Sequence, residues 1–446
     1  MSLFIFLTVL SVLVIVHEWG HYISARTVGV KVEKFSVGFG PKIISRFRKG
    51  TEFLLSAIPL GGYVKMAGDE RAECKGTTDE FYSHPPGHRA FVIVMGPVIN
   101  FVFGFLCLWG VFMLGYPGQA MQVYGLRDGV AQVDGLAIGD RVVSINGKKL
   151  YSLPHLQRNL VGDDKSLISL GVLRDDKEIV LKVKPEIITE TNYFGKDQLV
   201  RDLGIDFIGA SIGALAEDLP ALESGLEKGD LIISINDSKV THWEKVQELI
   251  GEAGGQPIAI KVKRGDDVLQ KTLTPQYEEE LEKYIIGISP QHDFDYVNFG
   301  PITSFAYAYD EVMTITTMTY KALFYMITGS MSAKESVGGP ILIFNAVRMA
   351  SQAGVVHLLF IIAVISISLA IFNLLPVPVL DGGHLFLLAI EKVKGKPLPI
   401  EWEENLTKVG MSLLICLMIF VFYNDLARLG WFDVVKDIFL RLKSAS

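Results

Sequence analysis

Four stretches of this chain are apolar for long enough to cross a lipid bilayer: roughly residues 3 to 24, 91 to 115, 355 to 379 and 409 to 425. The last is the shortest against the roughly 20 residues that a bilayer helix needs. Hydrocarbon offers the backbone no hydrogen-bond partner, so such stretches must be helical and must pack on one another. Composition agrees, with 50% of residues hydrophobic and 20% charged. That balance lies on the apolar side of ordinary globular chains. The expectation is a polytopic α-helical membrane protein with about four transmembrane helices. A net charge of −7 argues against a nucleic-acid partner, because phosphate binders carry a basic stripe. Three cysteines cannot all pair, and Cys107 and Cys416 sit inside apolar runs, so no disulfide framework is implied.

Orientation follows from the positive charges. No Lys or Arg precedes the first run, whereas the connection from Arg26 to Arg89 holds eleven of them against seven acids. By the positive-inside tendency this connection is cytoplasmic and the N-terminus is outside. A cleaved leader would need a basic n-region and a small-residue cleavage site, and the segment offers neither. Residues 116 to 354 then lie outside, carrying 23 Lys and Arg against 33 Asp and Glu. The third span descends and the fourth returns. Residues 311 to 331, "EVMTITTMTYKALFYMITGSM", tempt a fifth span, but Lys321 stands at the centre among several threonines. A central charge costs roughly 3 kcal/mol on insertion scales. The segment therefore reads as an amphipathic helix at the membrane surface or against the helix bundle, with an ordinary helix of the outer region as the alternative.

The first span ends in "HEWGH". On a helix His17 and His21 stand one turn plus about 40° apart, so both imidazoles leave one face and can bind one small cation. Zinc suits nitrogen donors and keeps a position for water when a protein supplies three ligands. Glu18, beside the first ligand, is placed to take a proton from that water. Three polar side chains inside a span are costly without compensation, which weighs against a chance match; a polar cluster satisfied by neighbouring helices is the structural alternative. A third ligand is needed. The third span breaks at Pro376 and Pro378, ahead of Asp381 and two glycines, so the backbone should unwind there and turn a carboxylate inward. Asp381 is the expected third ligand, with His384 a competitor better suited to a supporting place. The span count brings Asp381 back to the side of His17 and His21.

"HEWGH" in the first span, "GPVINF" at 96 to 101 in the second and "NLLPVPVLDGG" in the third together resemble the site-2 protease family of intramembrane zinc metalloproteases over nearly the whole chain. The resemblance implies zinc held by His17, His21 and Asp381, with Glu18 as catalytic base. It also implies that Asn373, ahead of the Pro-x-Pro turn, holds the substrate backbone near the metal. A spanning helix hides its peptide bonds until it unwinds, and an amide can both donate to and accept from the exposed backbone. Residues 35 to 66 read as glycine-punctuated β-hairpins; the resemblance makes them a membrane-associated sheet whose edge an extended substrate could join. A cytoplasmic loop bracing two spans is the plainer reading.

Between the second and third spans, "DGLAIGDRVVSINGKKL" at 134 to 150 realigns with "SGLEKGDLIISINDSKV" at 224 to 240, a period of 90 residues. That period suits two tandem small domains rather than a solenoid, and the pattern resembles PDZ domains, which bind peptides by strand addition. "YEEELEKY" at 277 to 284 reads as a solvated helix face or linker. The expected domains are an N-terminal membrane half over 1–115, extracytoplasmic PDZ-type domains over 116–200 and 201–290, a linker with the amphipathic helix over 291–354, and a C-terminal membrane half over 355–446. The chain looks most like the tandem-PDZ bacterial branch of the family. That implies the bacterial inner membrane, an active site near the cytoplasmic face, and single-span substrates that include a pre-cut anti-sigma factor and remnant signal peptides, with the PDZ pair as a size filter. A PDZ-bearing membrane scaffold or a metal-dependent transporter are the rivals from other classes. Zinc content separates the first from an enzyme and flux measurements the second.

Overall fold

The apolar run at the start of the chain forms helix α1 (Ser2–Val28), which ends where Gly29 adopts a left-handed φ of 93° and returns its N–H to the carbonyl of Ala25. A long hairpin follows, β1 (Val32–Arg48) and β2 (Thr51–Met66). Among the described residues, the further α-helices of this unit are α2 (Pro86–Leu114), α3 (Pro301–Ile327), α4 (Pro340–Ala353), α5 (Val355–Asn373), α6 (Asp381–Lys394) and α7 (Ile400–Arg428). This computed structural model describes residues 1–428 apart from 72–73, 128–131, 134, 280, 333, 335–336 and 397. Residues 1–115 and those from 298 onward form one unit, and residues 116–297 form another.

Among the described residues, α1, α2, α5 and α7 are the helices long and apolar enough to cross a membrane. Their ends differ from the hydropathic runs for physical reasons. The third run stops being helical at Asn373 rather than 379, because Pro376 and Pro378 cannot donate to preceding carbonyls. The fourth helix starts at Ile400, well before 409; Glu401, Glu403, Glu404 and Lys408 interrupt hydropathy without interrupting helix propensity. Helix α3 lies against the bundle. Phe305 meets Phe105 edge-on at 4.9 Å, Trp109 donates to the carbonyl of Pro301 at 3.0 Å, and Lys321 is exposed.

Helices α1 and α2 cross closely where both lack side chains. A Cβ on Gly20 would stand 2.2 Å from the carbonyl oxygen of Met95, and one on Gly96 2.3 Å from Nε2 of His21. Helix α5 is joined to α2 by Ser366, whose hydroxyl donates to the carbonyl of Asn100 at 2.7 Å. Helix α6 is fastened to α2 by the nearly buried pair Arg89–Glu391 at 2.6 Å, and α7 is held by Arg71–Glu403 at 2.6 Å.

The region expected as several hairpins is one hairpin folded back on itself. Phe35 lies opposite both Val64 and Phe53, while Ser45 and Arg46 lie opposite Leu54 and Phe53. The two strands thus make four adjacent segments, 42–48, 51–56, 34–37 and 62–66. The last packs on α1: a Cβ on Gly62 would stand 3.7 Å from Cγ of Glu18.

The 116–297 unit contains two lobes with one element order. In the first, strands Arg141–Ile145, Ile168–Arg174 and Lys177–Lys184 and helix Leu153–Leu160 surround a core that includes Val142, Leu156, Ile168, Leu170 and Val172. In the second, strands Leu231–Ile235, Ile258–Arg264 and Asp267–Leu273 and helix Trp243–Glu252 surround Ile232, Val246, Ile258, Ile260 and Val262. Polar detail repeats as well. Arg174 Nε donates to Asp140 at 2.6 Å and Arg264 Nε to Asp230 at 2.7 Å; Asn146 and Asn236 each accept a backbone N–H at 2.9 Å. Residue Asp134, the first of the sequence repeat, lies outside the described residues. The segment 277 to 284 is not a helix face: Gln276–Glu278 pairs with Lys283–Ile285 as antiparallel strands.

The Arg264 guanidinium holds the Asp230 carboxyl below the usual carboxylate range. The folded state therefore binds its proton less readily than the unfolded chain. The pair contributes stability above ordinary carboxylate pKa values and loses it as pH falls through the depressed folded value. Replacing Arg264 by Ala leaves Asp230, which is fully buried, without its cation. The expected cost is about 3 kcal/mol, read as lost hydrogen-exchange protection across Ile258–Leu273 of the full chain. Unchanged protection there would show that the pair is not what closes this lobe.

Candidate metal centre

Helix geometry brings His17 and His21 to one face of α1, and the α2 crossing determines which way that face looks. Gly96 leaves room for both rings, and His21 Nδ1 lies 2.9 Å from the carbonyl oxygen of Val92. That carbonyl has no proton to give, so Nδ1–H donates and the Nε2 lone pair is free. Asp381 arrives from the other half of the unit. After α5 ends at Asn373, the chain turns through Leu374–Leu380 and starts α6 at Asp381, in the first turn where a carboxylate faces the positive helix end. The turn is tight. Val379 is held at φ 89°, a strained value for a β-branched residue. A Cβ on Gly382 would meet the carbonyl oxygen of Leu374 at 2.3 Å, so only glycine allows α6 to begin against the turn.

The result is a convergence of donors. His17 Nε2 and His21 Nε2 are 3.2 Å apart, and Asp381 places Oδ2 3.2 Å from the first and Oδ1 3.6 Å from the second. All three ligand atoms lie within 4.8 Å of one another, and among the described residues this is the group of at least three such side chains that could hold a metal ion. Two nitrogen lone pairs and a carboxylate aimed at one point repel unless a cation lies between them. Two nitrogens at roughly 2.0–2.1 Å from a tetrahedral zinc would be about 3.3 Å apart, so the donor set fits that ion.

The same three residues line a cavity of about 370 Å³ with Glu18, Tyr63, Val64, Met66, Ile93, Asn373, Val379 and Leu380. Glu18 faces it beside the backbone N–H of Val64 in the 62–66 segment. Asn373, the last residue of α5, opens onto it. His384 is absent from this wall and lines an adjacent cavity of about 380 Å³ with Arg71, Arg89, Glu391 and Glu403. The geometry thus places Asp381, and not His384, beside the imidazoles. Sequence reasoning passed over Val92, whose backbone carbonyl has no residue-type signature, and Val64, whose N–H has none either. Gly96 was visible within "GPVINF" but its purpose was not.

A profile of peptidase family M50 matches residues 5–417. The chain belongs to that family. Among M50-type relatives, the regulator of sigma-E protease RseP of Escherichia coli is 34% identical over 444 residues, covering 95% of this chain and 98% of the relative. Protease RseP of Yersinia pestis is 32% identical over 448 residues, covering 96% and 99%. A solved PDZ domain, that of the SdrC-like protein of Listeria monocytogenes, is 24% identical and covers 19% of this chain and 88% of its own, with a TM-score of 0.18; that score is too low to speak for a shared fold. As an M50 peptidase the chain is a metalloprotease, and four spanning helices suit a multi-pass membrane protein.

Proposed function

We propose that this chain hydrolyses peptide bonds within the membrane-spanning segments of single-span proteins, using zinc held by His17, His21 and Asp381. The observation that carries the reading is the meeting of these donors in one cavity with Glu18 and Asn373. Zinc bound there would acidify a water molecule and polarise the scissile carbonyl. Glu18 accepts the proton of the attacking water and passes it to the leaving amine. The N–H of Val64 orients the Glu18 carboxylate beside the metal ligands. Asn373 offers one acceptor and two donors to an unwound substrate backbone. The 62–66 segment, an edge of the folded hairpin, supplies a place where that backbone can add as a strand.

The hairpin tip supports a membrane-associated role. Ile43, Ile44 and Phe47 are each at least 60% exposed beside Lys42, Arg46, Arg48 and Lys49, the combination of apolar and basic side chains that favours a lipid interface. Charge supports an active site near the cytoplasmic face and a 116–297 unit on the opposite side. The two lobes of that unit read as PDZ domains. In the second, a cavity of about 660 Å³ runs between Trp243, Val246 and Ile250 of the helix and the Ile285–Ser289 segment. Between the two lobes, one of about 310 Å³ is lined by Leu153, Leu156 and Leu160 of the first helix and by Trp243, Glu244 and Gln247 of the second. The cavity of the second lobe has the shape in which a strand and a helix receive an extended peptide.

By likeness to relatives named as regulators of sigma-E protease, the substrates expected are an anti-sigma factor already trimmed outside the membrane and remnant signal peptides in a bacterial inner membrane. The test is zinc analysis of purified protein paired with cleavage of a single-span substrate in liposomes. Zinc-free protein, or zinc-loaded protein that leaves the substrate intact, would overturn the reading. If the lobes filter by size, removing residues 116–297 should extend cleavage to substrates with untrimmed outer domains. Loss of all cleavage would instead show that they recruit substrate.

A further inference from the structure

One buried polar side chain beside the centre has no part in the mechanism above. Asn100 on α2 is completely buried, one turn beyond Gly96. Its Nδ2 lies 3.5 Å from Nδ1 of His17, while its Oδ1 has no hydrogen-bond partner among the described residues. A buried amide oxygen left alone is costly. The pairing observed is also chemically wrong for a ligand. If His17 gives the lone pair of Nε2 to a cation, the ring proton sits on Nδ1, and Nδ1–H cannot donate to an NH2 group.

Exchanging the two ends of the Asn100 amide, which differ by one proton-bearing atom and are assigned only by their hydrogen bonds, brings the lone acceptor onto the Nδ1–H donor. His21 shows the same arrangement in finished form, with Nδ1 2.9 Å from the carbonyl of Val92. The two imidazoles would then both be oriented by α2, one through a backbone carbonyl and the other through a side chain two turns further along. The backbone of Asn100 is itself held, since Ser366 of α5 donates to its carbonyl at 2.7 Å.

We propose that Asn100 is the positioning residue of His17: its Oδ1 accepts from Nδ1–H, fixing the tautomer that presents Nε2 to zinc and the plane of the ring. The proposal rests on His17 being a zinc ligand. Outer partners of this kind are worth roughly 10–100-fold in metal affinity.

The experiment is chelator competition on the full-length protein in detergent, with zinc as the probe. Asn100→Leu keeps the side-chain size and removes the acceptor, and should weaken zinc binding by about 10–100-fold. Asn100→Asp restores an acceptor and should recover most of that loss, a rescue that a packing role would not produce. With cobalt in place of zinc, the visible spectrum of Asn100→Leu should shift and that of Asn100→Asp should return toward wild type. Wild-type zinc affinity in Asn100→Leu, or an Asn100→Asp variant no better than Leu, overturns the proposal. Should Asn100→Leu not fold, Asn100→Ala is judged by the same outcomes. Wild-type affinity in His17→Ala would instead overturn the ligand reading beneath it, and the proposal with it.

Discussion

Glu18→Gln should retain zinc and lose about 10²–10⁴-fold in the rate of peptide hydrolysis, the span that general acid–base catalysis contributes. Glu18 is not one of the three converging donors, so its charge is not needed to hold the metal. Gln has the same size and can still accept from the N–H of Val64, which keeps the 62–66 segment in place beside α1. What it cannot do is take a proton from water. Metal content by atomic emission and cleavage of a single-span substrate, measured on one preparation, separate the two effects. Cleavage close to the wild-type rate would remove Glu18 from the mechanism, and loss of zinc would move it into the ligand set.

Asp381→Asn acts on the other half of the site. An amide oxygen occupies the same space but brings no negative charge to two neutral imidazoles, and its NH2 would confront a ring nitrogen in place of Oδ2 or Oδ1, now 3.2 Å from His17 Nε2 and 3.6 Å from His21 Nε2. The expected loss of zinc affinity exceeds the roughly 10–100-fold of an outer partner, and proteolysis falls with it. Equilibrium dialysis reads the first, and added zinc should restore part of the second. A protein that keeps stoichiometric zinc after Asp381→Asn would contradict the ligand assignment. In that case His384, which lines the neighbouring cavity, would be the next residue to replace.

These predictions differ in how far the chain alone could carry them. The placement of His17 and His21 on one face follows from helical periodicity, a local property, and so was legible in "HEWGH". The break ahead of Asp381 was legible because proline and glycine act on their own backbone. Its position was not: the spanning helix ends at Asn373, six residues before the end of the apolar run. Hydropathy measures partition into lipid, whereas the helix ends where a hydrogen-bond donor is missing. The 277 to 284 segment was misread for a related reason. Its charges suggested a solvated helix face or a linker, but pairing with a neighbouring segment is a nonlocal gain that composition does not record.

Sequence by itself determined the four long apolar helices, the duplicated lobes and the side chains expected to hold a metal, because length, hydropathy, period and residue chemistry are carried by neighbours in the chain. Only the tertiary structure decided that Asp381 faces the imidazoles, that the carbonyl of Val92 and the amide of Asn100 stand behind them, and that the N–H of Val64 stands beside Glu18. Those meetings depend on how closely helices cross at Gly20 and Gly96 and on how α6 begins against its own turn at Gly382. They join groups far apart in the chain, several of them backbone atoms common to every residue, and close packing alone selects which of them meet.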